Sequence, residues 1–159
     1  MNSLSDNMMK KLLTILTTCM LGACSVTDYR VKTESHSQFS ADGKQVKVEQ
    51  LLKTSQSWDG TDLPAYPYAE PEITMLKVTI PVGVTLDMHK HLVINAAYML
   101  RGHLKVISAT GDELELKAGD TIAEMVNSWH QGMNIGAEPV EIVVFYAGAK
   151  GTALTVKQQ

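Results

Sequence analysis

The stretch that decides the fold is Gly83–Gly102, GVTLDMHKHLVINAAYMLRG, answered sixteen residues later by Gly119–Asn134, GDTIAEMVNSWHQGMN. His89 and His91 stand two apart, so on an extended strand both side chains leave the same face. His130 is far away in sequence, and only the fold can bring it to them. Two histidines on one strand and a third on another can hold a divalent metal with one side left open. Gly83, Gly102 and Gly119 fall where strands must turn.

Around these residues the chain punctuates short β segments with turn residues. Val46–Leu52, Ile73–Ile80, Asn95–Leu100, Leu104–Ser108, Glu113–Leu116, Thr121–Val126 and Val140–Tyr146 read as strands, and 58–71 reads as a long loop containing Asp59-Gly60. Many short strands at this spacing predict an all-β sandwich or barrel.

The two quoted stretches resemble the signature motifs of the cupins, which are small jelly-roll (double-stranded β-helix) barrels. The first motif, G-x5-H-x-H-x3,4-E-x6-G, is met by Gly83, His89, His91 and Gly102. The second, G-x5-P-x-G-x2-H-x3-N, is met by Gly119, His130 and Asn134. Asn95 stands where the pattern has glutamate, Met125 where it has proline and Asn127 where it has glycine, with the spacing kept throughout. The resemblance covers roughly residues 70–147. It implies a single-domain cupin barrel over 46–159 and a divalent metal (iron, zinc, copper, manganese or nickel) on His89, His91 and His130, with Asn95 as a weak further ligand. His36 and His103 fall outside the pattern and are expected to be surface or satisfied residues.

If the strand through His89 and His91 runs on in register, Val93, Asn95, Ala97 and Met99 share its inward face, and Gly132 and Asn134 share that of His130. Ala97 and Gly132 are small and leave room for a substrate, while Met99 and Met125 add apolar lining. The same alternation turns Glu124 and Tyr98 away from the site and leaves Tyr146 unassigned. An asparagine at 95 offers only a neutral carbonyl oxygen. Three neutral imidazoles leave more positive charge on a +2 ion, which favours an anionic ligand and acidifies bound water.

The N-terminus reads as an address. Lys10 and Lys11 precede a short apolar run, Leu12–Met20, too short to remain as a membrane span, and Met1, Met8 or Met9 could each start it. Leu21-Gly22-Ala23-Cys24 resembles a bacterial lipobox, which implies a signal peptide over 1–23, lipid on Cys24 and a polar tether over 24–45. Ser25 after the cysteine is the pattern expected of an outer-membrane lipoprotein facing the periplasm in a Gram-negative cell. Two or more acyl chains anchor stably where one does not. Cys19 and Cys24 are the two cysteines, so the remaining chain has no disulfide, thiolate ligand or thiol nucleophile.

Composition narrows the function classes. Net charge is −3, about −4 once residues 1–23 are removed, and no basic stripe, Gly-rich phosphate loop or solenoid-length repeat is present. Nucleic acid is therefore not an expected partner. Neither a serine–histidine–acid arrangement nor a paired-carboxylate motif offers catalysis without a metal. Three readings remain: a metal-dependent enzyme on a small oxygenated or anionic molecule, a non-catalytic binding or sensing module of the cell envelope, and a metal-free structural barrel. Oxygenases, isomerases and decarboxylases all occur among cupins, and such barrels often pair into homodimers.

Overall fold

Two antiparallel sheets face each other across one apolar core, and the chain crosses between them at the histidines. The computed structural model describes residues 35–39 and 45–159, so the expected signal segment over 1–23 and Cys24 lie outside the described residues. Among these residues there is no helix. The strands are β1 (Ser35–Phe39), β2 (Gln45–Glu49), β3 (Pro71–Ile80), β4 (His89–His91), β5 (Ile94–Arg101), β6 (His103–Ser108), β7 (Glu113–Lys117), β8 (Thr121–Ala123), β9 (His130–Asn134), β10 (Val140–Ala149) and β11 (Thr155–Lys157).

One sheet runs β3-β10-β5-β8 and the other β11-β4-β9-β6-β7. This is the jelly-roll arrangement, in which consecutive strands such as β4 and β5 sit in opposite sheets. The bend at Leu92–Val93 makes that crossing. Burial still alternates through it: His91, Val93, Asn95, Ala97 and Met99 are buried and the residues between them are not. A period-two apolar pattern is what a sheet with one wet and one dry face requires. The core is built from both sheets, with Met99, Ile122, Val140 and Val144 from one packed against Leu104, Val106 and Leu116 from the other. The outer face is mixed: Glu141 bridges Lys77 and Arg101, while Ile73, Met75 and Phe145 are exposed.

The N-terminal part differs from the sequence expectation. β2 pairs only with β1, in a separate two-stranded sheet, so the barrel strands begin at Pro71 rather than near Val46. Residues 50–70 carry no strand but are not idle. The Asp59-Gly60 turn is closed by Ser57 N donating to Thr61 O (2.8 Å) and by Thr61 N donating to Asp59 Oδ1 (3.0 Å). From that turn Trp58 N reaches Ala123 O (3.0 Å) and Ser57 Oγ reaches Glu124 O (3.1 Å), which docks the loop onto the end of β8. At the other end of the chain, β11 adds an edge strand to β4.

Two of the motif positions are explained by backbone. Gly102 has φ +86°, and a Cβ there would stand 2.7 Å from the Cα of Val140, so only glycine fits this turn. Asn127 has φ 60°, the left-handed region, which asparagine tolerates better than other side chains. It occupies the position where the cupin pattern has glycine, and the turn survives the change.

Candidate metal centre

β4 and β9 are direct neighbours, with His89 opposite His130 across the pair. His91 lies two residues along the same face of β4, so three imidazoles converge from two strands. Their ring centroids are 4.6–5.2 Å apart, and one nitrogen from each lies within 4.8 Å of the others.

The other nitrogen of each ring is already engaged. His89 Nδ1 faces Asp87 O (2.7 Å), His130 Nδ1 faces Ser128 O (2.9 Å), and His91 Nδ1 faces Leu154 O (3.3 Å) and Thr155 Oγ1 (3.1 Å). A carbonyl oxygen can only accept, so each Nδ1 carries the proton and each Nε2 keeps its lone pair. This is how protein sites orient histidine ligands. Burial lowers all three imidazole pKa values, His91 to about 3, with neighbouring histidines adding to the effect on His91 and His89. The triad is therefore neutral near pH 7, the form that binds metal.

His130 Nε2 is the test of fit. It is buried and has no hydrogen-bond partner within the protein. Such atoms are uncommon and costly in a folded interior. A divalent cation satisfies this one and takes up the lone pairs of its two neighbours, so the residues present fit a metal held by three histidines.

A carboxylate joins them that the alternation rule had turned away. β8 ends at Ala123, and the four residues Ile122–Met125 are all buried, so period two no longer holds at Glu124. Its side chain points inward, with Oε2 3.4 Å from His130 Nε2, and this too is a correction to the expected outward placement. The two atoms are close but not aligned as a hydrogen bond, and both are unpartnered. Burial raises the Glu124 carboxyl to about 7, offset in part by His89, while it lowers His130. Without a cation, burial thus drives both groups toward their neutral forms rather than toward an ion pair.

A cavity of about 220 Å³ opens beside the triad. Gly132 lines it together with Leu76, Val78, Leu86 and Val106, and His89, His91, His130, Glu124 and Tyr146 bring the polar groups. Of the three expected pocket residues, Gly132 lines this space, whereas Ala97 and Met99 are packed within the core cluster. Met125 is fully buried. Asn95 is buried too, its Nδ2 making one long bond to Val93 O (3.4 Å) and its Oδ1 making none. Tyr146, unassigned by sequence, sits edge-on to His91 with centroids 5.6 Å apart, and burial and Glu124 push its phenol up to about 12. Tyr98 lies on the opposite face of β5, half-buried, and His103 pairs with Glu115 on the outer surface (2.9 Å).

Residues 76–146 match the Cupin domain family model, and the two antiparallel sheets have the jelly-roll fold of cupins. Solved structures similar to the chain include the oxalate decarboxylase of Lactobacillus farciminis in its formate complex (22% identity, TM-score 0.47, covering 54% of this chain and 26% of that one). Oxalate oxidase in complex with the substrate analogue glycolate is another (20%, 0.46, 54% and 45%). A third is an uncharacterized conserved protein with a double-stranded β-helix domain from Klebsiella pneumoniae (21%, 0.47, 59% and 84%). The chain thus spans less than half the length of the two oxalate enzymes. Among curated proteins none matches.

Proposed function

We propose that this protein is a cupin metalloenzyme of the bacterial cell envelope, acting on a small oxygenated or anionic molecule. The observation that carries the reading is the set of three imidazoles, each with Nδ1 held by a carbonyl behind its ring and a nitrogen within 4.8 Å of the other two, beside a cavity. A bound divalent ion supplies Lewis acidity there and activates an oxygen-containing ligand. The chain's own residues do the rest. His89, His91 and His130 hold the ion, and the apolar walls at Val78, Leu86 and Val106 exclude water and receive the carbon skeleton. Glu124 brings the one carboxyl group among the residues that line the cavity. Iron, zinc, copper, manganese and nickel are all compatible with imidazole donors. Cys24 carries the lipid that tethers the barrel through residues 24–45, with the barrel facing the periplasm of a Gram-negative cell.

Elemental analysis of the full-length protein, purified without chelators or a histidine tag, tests the metal. Near-stoichiometric metal is expected, and His89→Ala/His91→Ala should lose it. A metal-free protein that stays so after reconstitution with all five ions would leave a metal-independent binding barrel instead. The anchor is tested separately. Cys24→Ala should move the protein from the membrane to the soluble periplasmic fraction, and unchanged fractionation would remove the lipoprotein reading.

A further inference from the structure

We infer that Glu124 is the carboxylate ligand of this metal centre, supplied from the end of β8 in place of the acidic group that Asn95 cannot provide. The inference rests on the three-histidine reading and adds to it. Two donor atoms on one ion, each about 2.1 Å from it, sit roughly 3.0–3.4 Å apart for right-angled to tetrahedral arrangements. Glu124 Oε2 stands 3.4 Å from His130 Nε2, at that separation, on the His130 side of the cluster. It lies outside the group of histidine nitrogens that are all within 4.8 Å of one another, so its side chain turns toward His89 and His91 to share their ion.

Three further observations point the same way. Glu124 is 9% exposed, yet among the described residues no lysine or arginine pairs with it and its Oε2 has no hydrogen-bond donor. A buried carboxylate without a countercharge is strongly disfavoured, and a divalent ion beside it removes that penalty. The residue is also held where it is: Glu124 N donates to Asn95 O (3.2 Å), and its carbonyl accepts from Ser57 Oγ (3.1 Å). The backbone is thus tied both to the strand that carries Asn95 and to the docked 57–61 turn. Finally, Glu124 lines the cavity that the histidines share, whereas Asn95 does not. The consequence is a site of net charge +1 rather than +2 when a divalent ion is bound, so a monoanionic ligand neutralises it.

Cobalt(II) is the probe, because its visible absorption reports the donor set and its affinity can be read by competition. Full-length protein is compared with Glu124→Gln, Glu124→Asp and Asn95→Ala, each first checked for a cooperative melt. Glu124→Gln should weaken cobalt at least tenfold and change the ligand-field bands, while Asn95→Ala leaves both as they were. Glu124→Asp, which keeps the charge but shortens its reach, should fall between, and it decides the matter should the glutamine variant misfold. A Glu124→Gln protein with unchanged affinity and bands overturns the assignment while leaving the histidine site standing. Failure of the unmutated protein to bind cobalt at all overturns the three-histidine reading, and this inference with it.

Discussion

The two ends of the barrel treat buried polar groups in opposite ways. At one end Asn134 is fully buried and fully used. Its Nδ2 donates to Ile80 O and Glu138 O, both at 2.9 Å, and its Oδ1 accepts from Gly136 N at 2.9 Å. At the other end Asn95 Oδ1, Glu124 Oε2 and His130 Nε2 are equally buried and have no partner. A buried group left unsatisfied costs about 1–3 kcal/mol, so a cluster of them persists only where something else is gained. The first end holds the fold together: one side chain ties the exit of β9 to the end of β3. The second end holds atoms in readiness for a ligand. Asn95, buried beside them without lining the cavity, is neither tied in as Asn134 is nor placed among the ligands.

The largest effect should come from breaking the satisfied end. Asn134→Ala leaves two carbonyls and one amide without their partner, and we expect a loss of about 3 kcal/mol of stability. In a domain of this size that lowers Tm by roughly 10 °C. Asn95→Ala, made in the metal-free protein, removes an atom that had no partner and should cost under about 1 kcal/mol. Urea unfolding of the two variants side by side checks the contrast. Equal losses would mean that Asn95 carries structure as Asn134 does.

The unsatisfied end should reveal itself through pH. Burial raises the folded Glu124 carboxyl from 4.5 to about 7, so the folded protein retains a proton that the unfolded chain releases. This contribution is fully present below pH 4.5 and is lost as pH rises through about 7. His91 acts with the opposite sign. Burial lowers it from 6.5 to about 3, so its contribution is present above pH 6.5 and is lost as pH falls toward 3. In the metal-free protein the carboxyl contribution falls between about pH 4.5 and 7 while that of His91 rises up to pH 6.5, so the two offset each other over pH 4.5–6.5 and stability is nearly flat above pH 7. Glu124→Gln removes the carboxyl contribution and leaves the rise, so its gain on the unmutated protein grows from pH 4.5 to 7 and reaches the order of 2–3 kcal/mol. Parallel stability–pH curves for the two would show that the carboxyl is not desolvated as described.

The same contrast explains how much was legible in the sequence. Strict alternation exposed β5, β6 and β10 and put His91, Asn95, Ala97 and Met99 on one buried face, because a sheet with one dry face writes its period into the chain. The His89–His91 pair followed from spacing, since i and i+2 on a strand must share a face, and His130 joined it only through the resemblance to the second cupin motif. Glu124 was missed because β8 stops one residue earlier, and beyond a strand's end no period governs where a side chain points. A polar residue inside a run of four otherwise apolar ones, Ile122–Met125, was the available signal. Thr155 and β11 were missed for another reason. A strand of three residues after Gly151 has too little length to show alternation, and its pairing with β4 is set by tertiary contact. Ala97 and Met99 face inward as expected, but the barrel's interior is divided between a packed part and an open part, and parity cannot say which part a residue enters.

The smallest effect concerns the turn that leads into β9 and fastens it to β4 at His91. Asn127 N donates to His91 O (2.7 Å), and the neighbouring Val126 makes an isolated parallel bridge to His91, so this turn fastens the second motif to the first. Its φ of 60° costs an ordinary L-residue about 1 kcal/mol or more, and asparagine less. Asn127 is exposed, so its side chain contributes little packing to weigh against that backbone term. Asn127→Ala should then lose about 1 kcal/mol. Asn127→Gly should stay within about 0.5 kcal/mol, because its relief in the folded turn is offset by the freedom it adds to the unfolded chain. Metal affinity should hold in the glycine variant, since the backbone bond to His91 O remains. If alanine proves as stable as asparagine, the turn relaxes out of the left-handed region, and the fastening of His91 does not depend on it.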